Sequence, residues 1–269
     1  MTAPDRTVPD RTVPPMVDFH THTPAWHTGT WLGGAEFGPR EFLSFMDGAG
    51  IGAAVLLAHD GLFNATPESN DELAEFVAAD RSRMAGFGTV NPRHANAVAE
   101  TERMMGELGL AGLKLHPWLQ GFSMHEPALD PICEVVTAHG GILLSHDGTP
   151  PYSTPSQIAA LARRHPELPV VLGHGGLHDC WREALALTIE TENLYLCICG
   201  TPPYAARHIL ANAPRGKVLF GTDAGLSDEA SQHYAVARVA EIDGWGITEE
   251  QKTEMLVTTP RALLAGRLK

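Results

Sequence analysis

Val17-Asp18-Phe19-His20-Thr21-His22 is a short apolar run that closes on two histidines two positions apart. Alternate side chains on a β-strand point the same way, so the spacing predicts Asp18, His20 and His22 on one face and Val17, Phe19 and Thr21 on the other. Two imidazoles side by side at a rigid strand end form half of a site for a first-row metal ion. In a chain with 14 histidines such a pair also arises by chance. The runs further along the chain decide between the two.

Apolar runs recur at residues 16–19, 53–58, 85–90, 113–115, 142–144, 170–172, 194–198 and 218–220. Most lack polar alternation, as expected for strands buried on both faces of a parallel sheet. Between them, residues 71–78, 97–108, 131–138, 156–164 and 179–189 carry apolar side chains at helical spacing. Pro155-Ser156 and Thr248-Glu249-Glu250 have the small polar cap and early acids of helix starts. Strand–helix alternation repeated about eight times predicts a distorted (β/α)8 TIM barrel. A doubly wound open sheet is the alternative, weakened because no Gly-x-Gly-x-x-Gly follows the first strand. No composition break divides the chain, so residues 16–269 are expected to form one domain. Residues 1–15, polar and Pro-rich with no apolar core, are expected to be a flexible leader rather than a secretory signal.

Functional groups of such a barrel sit at the C-terminal ends of its strands. The first run ends in His20 and His22, and the fourth carries Lys114 and His116. The fifth ends in His146, the sixth in His174 and the eighth in Asp223. A lone histidine is more often a satisfied core or loop residue, but His or Asp ending four runs together is hard to assign to chance. Imidazoles with a carboxylate suit Zn²⁺, with Mn²⁺ or Fe²⁺ as alternatives. The segment 23–38 carries Trp26, His27, Trp31 and Phe37. With Trp118 and Tyr152 it reads either as a wall for an apolar or aromatic substrate or as simple loop packing.

These segments, with Gly112-Leu113-Lys114-Leu115-His116-Pro117 and Val171-Leu172-Gly173-His174-Gly175-Gly176, make the chain resemble the amidohydrolase superfamily. The resemblance is to its amidohydrolase-2-type branch of metal-dependent hydrolases and non-oxidative decarboxylases, and it covers nearly the whole chain. It implies that His20, His22, His146 and Asp223 surround one divalent ion. Asp223 would accept a proton from water, and His174 would be an acid/base or a ligand to a second ion. Lys114 is expected to be uncarbamylated and to bind an anionic substrate group or support the metal shell. His116 is either a substrate contact or a supporting group. Two departures stand out: Thr258-Thr259-Pro260 where the family often has Asn, and Cys197 where an Asp or small polar residue is common. Cys197 and Cys199 are read as barrel packing in preference to a thiolate ligand. The expected activity is hydrolysis of an amide, lactone, lactam or related carbonyl substrate. The alternatives are a decarboxylase on the same fold, and an inactive barrel kept for binding.

Composition sets the remaining bounds. With 43% hydrophobic residues in 269, the chain can bury roughly three quarters of its unfolded surface. A formal net charge of −13 argues against nucleic acid or an anionic membrane as partner. No apolar run nears the roughly 20 residues of a membrane helix. Four cysteines in a chain this long suggest reduced thiols and a cytoplasmic protein. The expected partner is a small-molecule substrate, with a homo-oligomer left open.

Overall fold

The computed structural model describes residues 16–23, 38–58, 61–64, 67–225 and 229–268. Among them lie eight strands: β1 (Met16–His22), β2 (Ile51–Leu57), β3 (Met84–Gly88), β4 (Gly112–Leu115), β5 (Ile142–Ser145), β6 (Val170–Leu172), β7 (Leu194–Ile198) and β8 (Val218–Phe220). Each pairs in parallel with its sequence neighbour. β8 returns to β1 through a parallel bridge between Thr21 and Ala224. There Asp223 N donates to His20 O at 2.8 Å and His22 N to Ala224 O at 2.6 Å. The sheet is thus a nearly closed (β/α)8 TIM barrel, as the alternation of runs predicted.

Five helices fall where the 3.6-residue pattern put them; Pro39–Ala49, Pro203–Asn212 and Glu229–Glu241 are further ones that the pattern did not mark. Among the described residues, Pro67–Ala78, Ala97–Gly106, Leu129–Ala138, Pro155–Arg164 and Trp181–Glu190 connect consecutive strands. The helix at Pro155 starts with a capping box: Thr154 Oγ1 accepts from Gln157 N, and Gln157 reaches back to Thr154 N. Thr248 and Gln251 repeat it near the C-terminus. No helix among the described residues is long and apolar enough to cross a membrane.

Two apolar layers result. Val17, Phe19, Val55, Phe87, Leu144, Val171, Cys197 and Leu219 fill the barrel interior. Ile51, Leu56, Leu113, Leu143, Leu172, Leu196 and Phe220 pack outward against the helices. This assignment corrects the simple alternation expected for β1. Val17 and Phe19 belong to the interior, so uninterrupted alternation would turn His20 and His22 away from it. The register shows why they are not turned away. Asp18 pairs with Ala54 and Thr21 with Leu56, leaving one extra residue in β1. That β-bulge changes the phase of the strand, so the histidines after it face the barrel mouth. Asp18, before the bulge, does not share their face; it accepts from Thr222 N and Thr222 Oγ1 on the β1–β8 seam.

Candidate metal centre

At the barrel mouth, His20, His22 and Asp223 each offer a ligand atom, all within 4.8 Å of one another. Asp223 Oδ1 lies 3.0 Å from His22 Nε2 and 3.4 Å from His20 Nε2. His20 Nδ1 is 2.8 Å from Gly173 O. A carbonyl only accepts, so Nδ1 carries the hydrogen and Nε2 turns its lone pair toward Asp223. This is the outer hydrogen bond that orients metal-binding imidazoles. Asp223 itself adopts φ +63°, a left-handed conformation that non-glycine residues rarely take. Gly225, at φ +88°, follows where a Cβ would run into the His22 carbonyl oxygen. The donor set, its burial and its outer bonding fit a divalent cation.

His174 stands beside the triad, its ring centroid 4.6 Å from that of His20 and 4.4 Å from that of His146. Its Nδ1 faces Cys199 O at 3.2 Å, so the neutral ring presents an acceptor at Nε2. A second trio, His20, His174 and Cys199, also has its ligand atoms within 4.8 Å of one another, and all three residues are buried. Lys114 is 1% exposed, with Nζ 3.3 Å from His20 Nε2. No carboxylate among the described residues lies within ion-pair distance of that ammonium.

Burial controls the protonation of this cluster. It drives His20 well below the ordinary imidazole range, and the charges of Lys114 and His174 push the same way. It brings His174 down to about 4 and His116 to about 2. His146 is lowered as well, by burial and then by His174 and His116. Lys114 falls to about 8, with Asp223 opposing the effect of burial. Burial alone would raise the Asp223 carboxyl; the His22 hydrogen bond and the charges of His20 and His174 hold it well below the usual range. His20, His116, His146 and His174 are thus pushed toward the neutral form and Asp223 toward the ionised one.

His116 and His146, expected as substrate contact and metal ligand, stack face to face at 3.9 Å. His146 Nε2 is engaged by Thr149 Oγ1 at 2.9 Å, and His146 belongs to neither trio. As a ligand through Nε2 it would first have to give up that hydroxyl. Trp118 is half-exposed beside His116, with ring centroids 6.1 Å apart, and Tyr152 lies at the surface. Trp26, His27, Trp31 and Phe37 lie outside the described residues. Cys197 is buried in the interior, against the backbone of Gly221.

Two contributors were not recognised in the sequence. Asp147 accepts from His174 N and Gly176 N, both at 2.6 Å, clamping the turn that carries His174. Its place in Ser145-His146-Asp147-Gly148 looks like ordinary turn chemistry, which hides it. Cys199 was seen, but as packing; its approach to His20 and His174 depends on strands far apart in sequence.

A family model described as amidohydrolase matches residues 17–265. The chain belongs to the amidohydrolase family. Its fold is shared with solved structures of low identity. A 5-carboxyvanillate decarboxylase from Novosphingobium aromaticivorans, complexed with manganese and 4-hydroxy-3-methoxy-5-nitrobenzoic acid, aligns with TM-score 0.71 at 16% identity, over 96% of this chain and 97% of that one. The 5-carboxyvanillate decarboxylase of Sphingomonas paucimobilis gives TM-score 0.67 at 17% identity, over 93% and 98%. A Pseudomonas putida protein assigned as a 2-pyrone-4,6-dicarboxylic acid hydrolase gives 0.70 at 17%, over 95% and 99%. None of the curated proteins compared with this amidohydrolase matches it. The amidohydrolase family is metal-dependent, and hydrolases and decarboxylases both occur among these fold neighbours.

Proposed function

We propose that this amidohydrolase is a metal-dependent hydrolase that cleaves an amide, lactone, lactam or related carbonyl substrate. The observation carrying the reading is the convergence of His20 Nε2, His22 and Asp223 within 4.8 Å, with the far nitrogen of His20 locked to Gly173 O. These three would hold one divalent ion, zinc by preference, with manganese or iron as alternatives. Such an ion supplies Lewis acidity, polarising a carbonyl oxygen and easing deprotonation of water.

The side chains supply the rest. Asp223, kept ionised, accepts a proton at its carboxylate. His174 is neutral at pH 7, and with Nδ1–H committed to Cys199 O it accepts a proton at Nε2. It donates from that atom only after protonation, so its role at neutral pH starts as a base. Lys114 has no carboxylate partner among the described residues, and a substrate anion would relieve its burial. His116 and Trp118 would line the approach.

Lys114, without a carboxylate partner among the described residues, also favours a second reading, a decarboxylase. Several fold neighbours act, by their names, on aromatic or dicarboxylic acids. The experiment is to incubate the metal-loaded protein with carboxylate-bearing lactones and amides and with aromatic carboxylic acids. New acid groups without gas are expected. Carbon dioxide release instead installs the decarboxylase reading. Unchanged metal content in the His20→Ala, His22→Ala double variant sinks the site assignment.

A further inference from the structure

We propose that Cys199 is a metal ligand, its thiolate forming with the imidazoles of His20 and His174 a second donor triad that shares His20 with the first. The inference rests on the metal-dependent reading above and goes beyond it.

Three buried ligand atoms from three strand ends meet within 4.8 Å: His20 from β1, His174 after β6 and Cys199 after β7. Both imidazoles commit Nδ1 to a backbone carbonyl, His20 to Gly173 O and His174 to Cys199 O. Each is thereby fixed in the tautomer whose Nε2 carries the lone pair; that of His20 faces Lys114 Nζ at 3.3 Å, a contact an ion would replace. The same Cys199 residue orients His174 through its carbonyl and adds a sulfur donor through its side chain. Its backbone is held in turn, because Cys199 N donates to Cys197 O at 3.0 Å and the chain bends at Gly200, φ +70°.

The two triads differ in chemistry. His22 and Asp223 make one side nitrogen and oxygen; His174 and Cys199 make the other nitrogen and sulfur. With Nδ1 committed to Gly173 O, His20 has only Nε2 to offer, which serves one ion at a time, so the halves compete for a common ion. Zinc accepts either donor set; a thiolate adds a preference for softer ions such as cadmium, whereas carboxylate and imidazole also accept manganese. The centre is thus built to bind thiophilic ions with sulfur and harder ions without it. Coordination displaces the thiol proton to solvent. Cys197 provides the internal contrast. Its Sγ would lie 3.0 Å from a Cβ on Gly221, below the mouth, and it joins no donor group among the described residues.

Metal-free full-length protein is titrated with Co²⁺ and its near-ultraviolet spectrum recorded. A thiolate-to-cobalt charge-transfer band is expected, saturating at one ion per chain. The band should vanish in Cys199→Ser and persist in Cys197→Ser. Cobalt uptake without the band in wild type, or with the band kept in Cys199→Ser, overturns the assignment while leaving the metal-dependent reading intact. A chain that takes up no cobalt overturns both. Should Cys199→Ser fail to fold, X-ray absorption of zinc-loaded wild type decides. A sulfur scatterer at about 2.3 Å supports the ligand, and a shell of nitrogen and oxygen alone removes it.

Discussion

Asp223 concentrates the most chemistry in one side chain: it touches both histidines of β1 and holds a backbone conformation that costs free energy. Asn at this position keeps an oxygen donor and tolerates the left-handed backbone, but it cannot accept a proton. Asp223→Asn should therefore lower turnover by about a hundredfold or more while retaining part of the metal, read by steady-state kinetics beside elemental analysis. Lys114 calls for a different outcome. Lys114→Ala should raise KM for an anionic substrate and leave about one metal per chain, because a substrate anion would relieve the cost of burying its ammonium at the mouth beside His20. Loss of metal in that variant, or bicarbonate-dependent activity of the wild type, would instead mark a carbamylated lysine. Asp147 acts one step back, through the backbone of His174. An amide there opposes N–H to N–H at one of its two short bonds, so Asp147→Asn should cost about 1–3 kcal/mol in denaturant unfolding. Its kcat should fall more than its metal content, since His174 is displaced while His22 and Asp223 are not.

At the scale of elements, the decisive features are the bulge in β1 and the seam it forms with β8. The extra residue between Asp18 and Thr21 lets one strand serve the apolar interior with Val17 and Phe19 and the polar mouth with His20 and His22. Asp18 secures the change of phase, accepting from His20 N at 3.2 Å, Thr222 N at 3.1 Å and Thr222 Oγ1 at 2.6 Å. Gly221 completes the seam: a Cβ there would come within 2.5 Å of His20 Cβ. Asp18→Ala strands three buried donors, and a loss of about 3 kcal/mol or more is expected in equilibrium unfolding, with a parallel fall in metal affinity. Unchanged stability would show that the seam holds through its backbone bonds alone.

For the whole molecule, the barrel mouth sets the response to acid. His20, His116, His146 and His174 are buried in the neutral form with pKa values below the ordinary 6.5. The unfolded chain therefore binds protons near pH 6.5 that the folded chain refuses, and stability is lost as pH falls from about 6.5 toward about 4. Asp18 and Asp147, raised to about 7 and about 6 by burial, act oppositely, favouring the fold as pH falls. Four imidazoles outnumber two carboxyls, so the metal-free protein should show a net fall in melting temperature between pH 7 and pH 4.5. Adding the ion at pH 7 should raise that temperature, because only the folded chain presents the converged donors. A flat profile would mean that the buried imidazoles do not outweigh the two carboxyls.

The positions of the eight strands were legible in the sequence because each is a short apolar run whose solvent-excluded faces leave no polar alternation. Several helices announced themselves equally locally, through 3.6-residue spacing and the start signals at Pro155-Ser156 and Thr248; the cap of the first proved to be Thr154. The residues at the mouth, His20, His22, His174, Lys114 and Asp223, were legible too, since a barrel gathers whatever ends its strands. What period-2 alternation could not supply was the phase of β1. A bulge depends on the register with β2, and register is a relation between two strands rather than a property of one. The tautomers of His20 and His174 likewise depend on carbonyls of Gly173 and Cys199, brought near only by closure of the ring. The same holds for Asp147 beneath His174 and for Cys199 beside His20. The sequence by itself determined which donors stand at the strand ends. Tertiary structure alone decided which of their atoms meet, because a lone pair is aimed by its hydrogen-bond partner, and those partners come from distant strands.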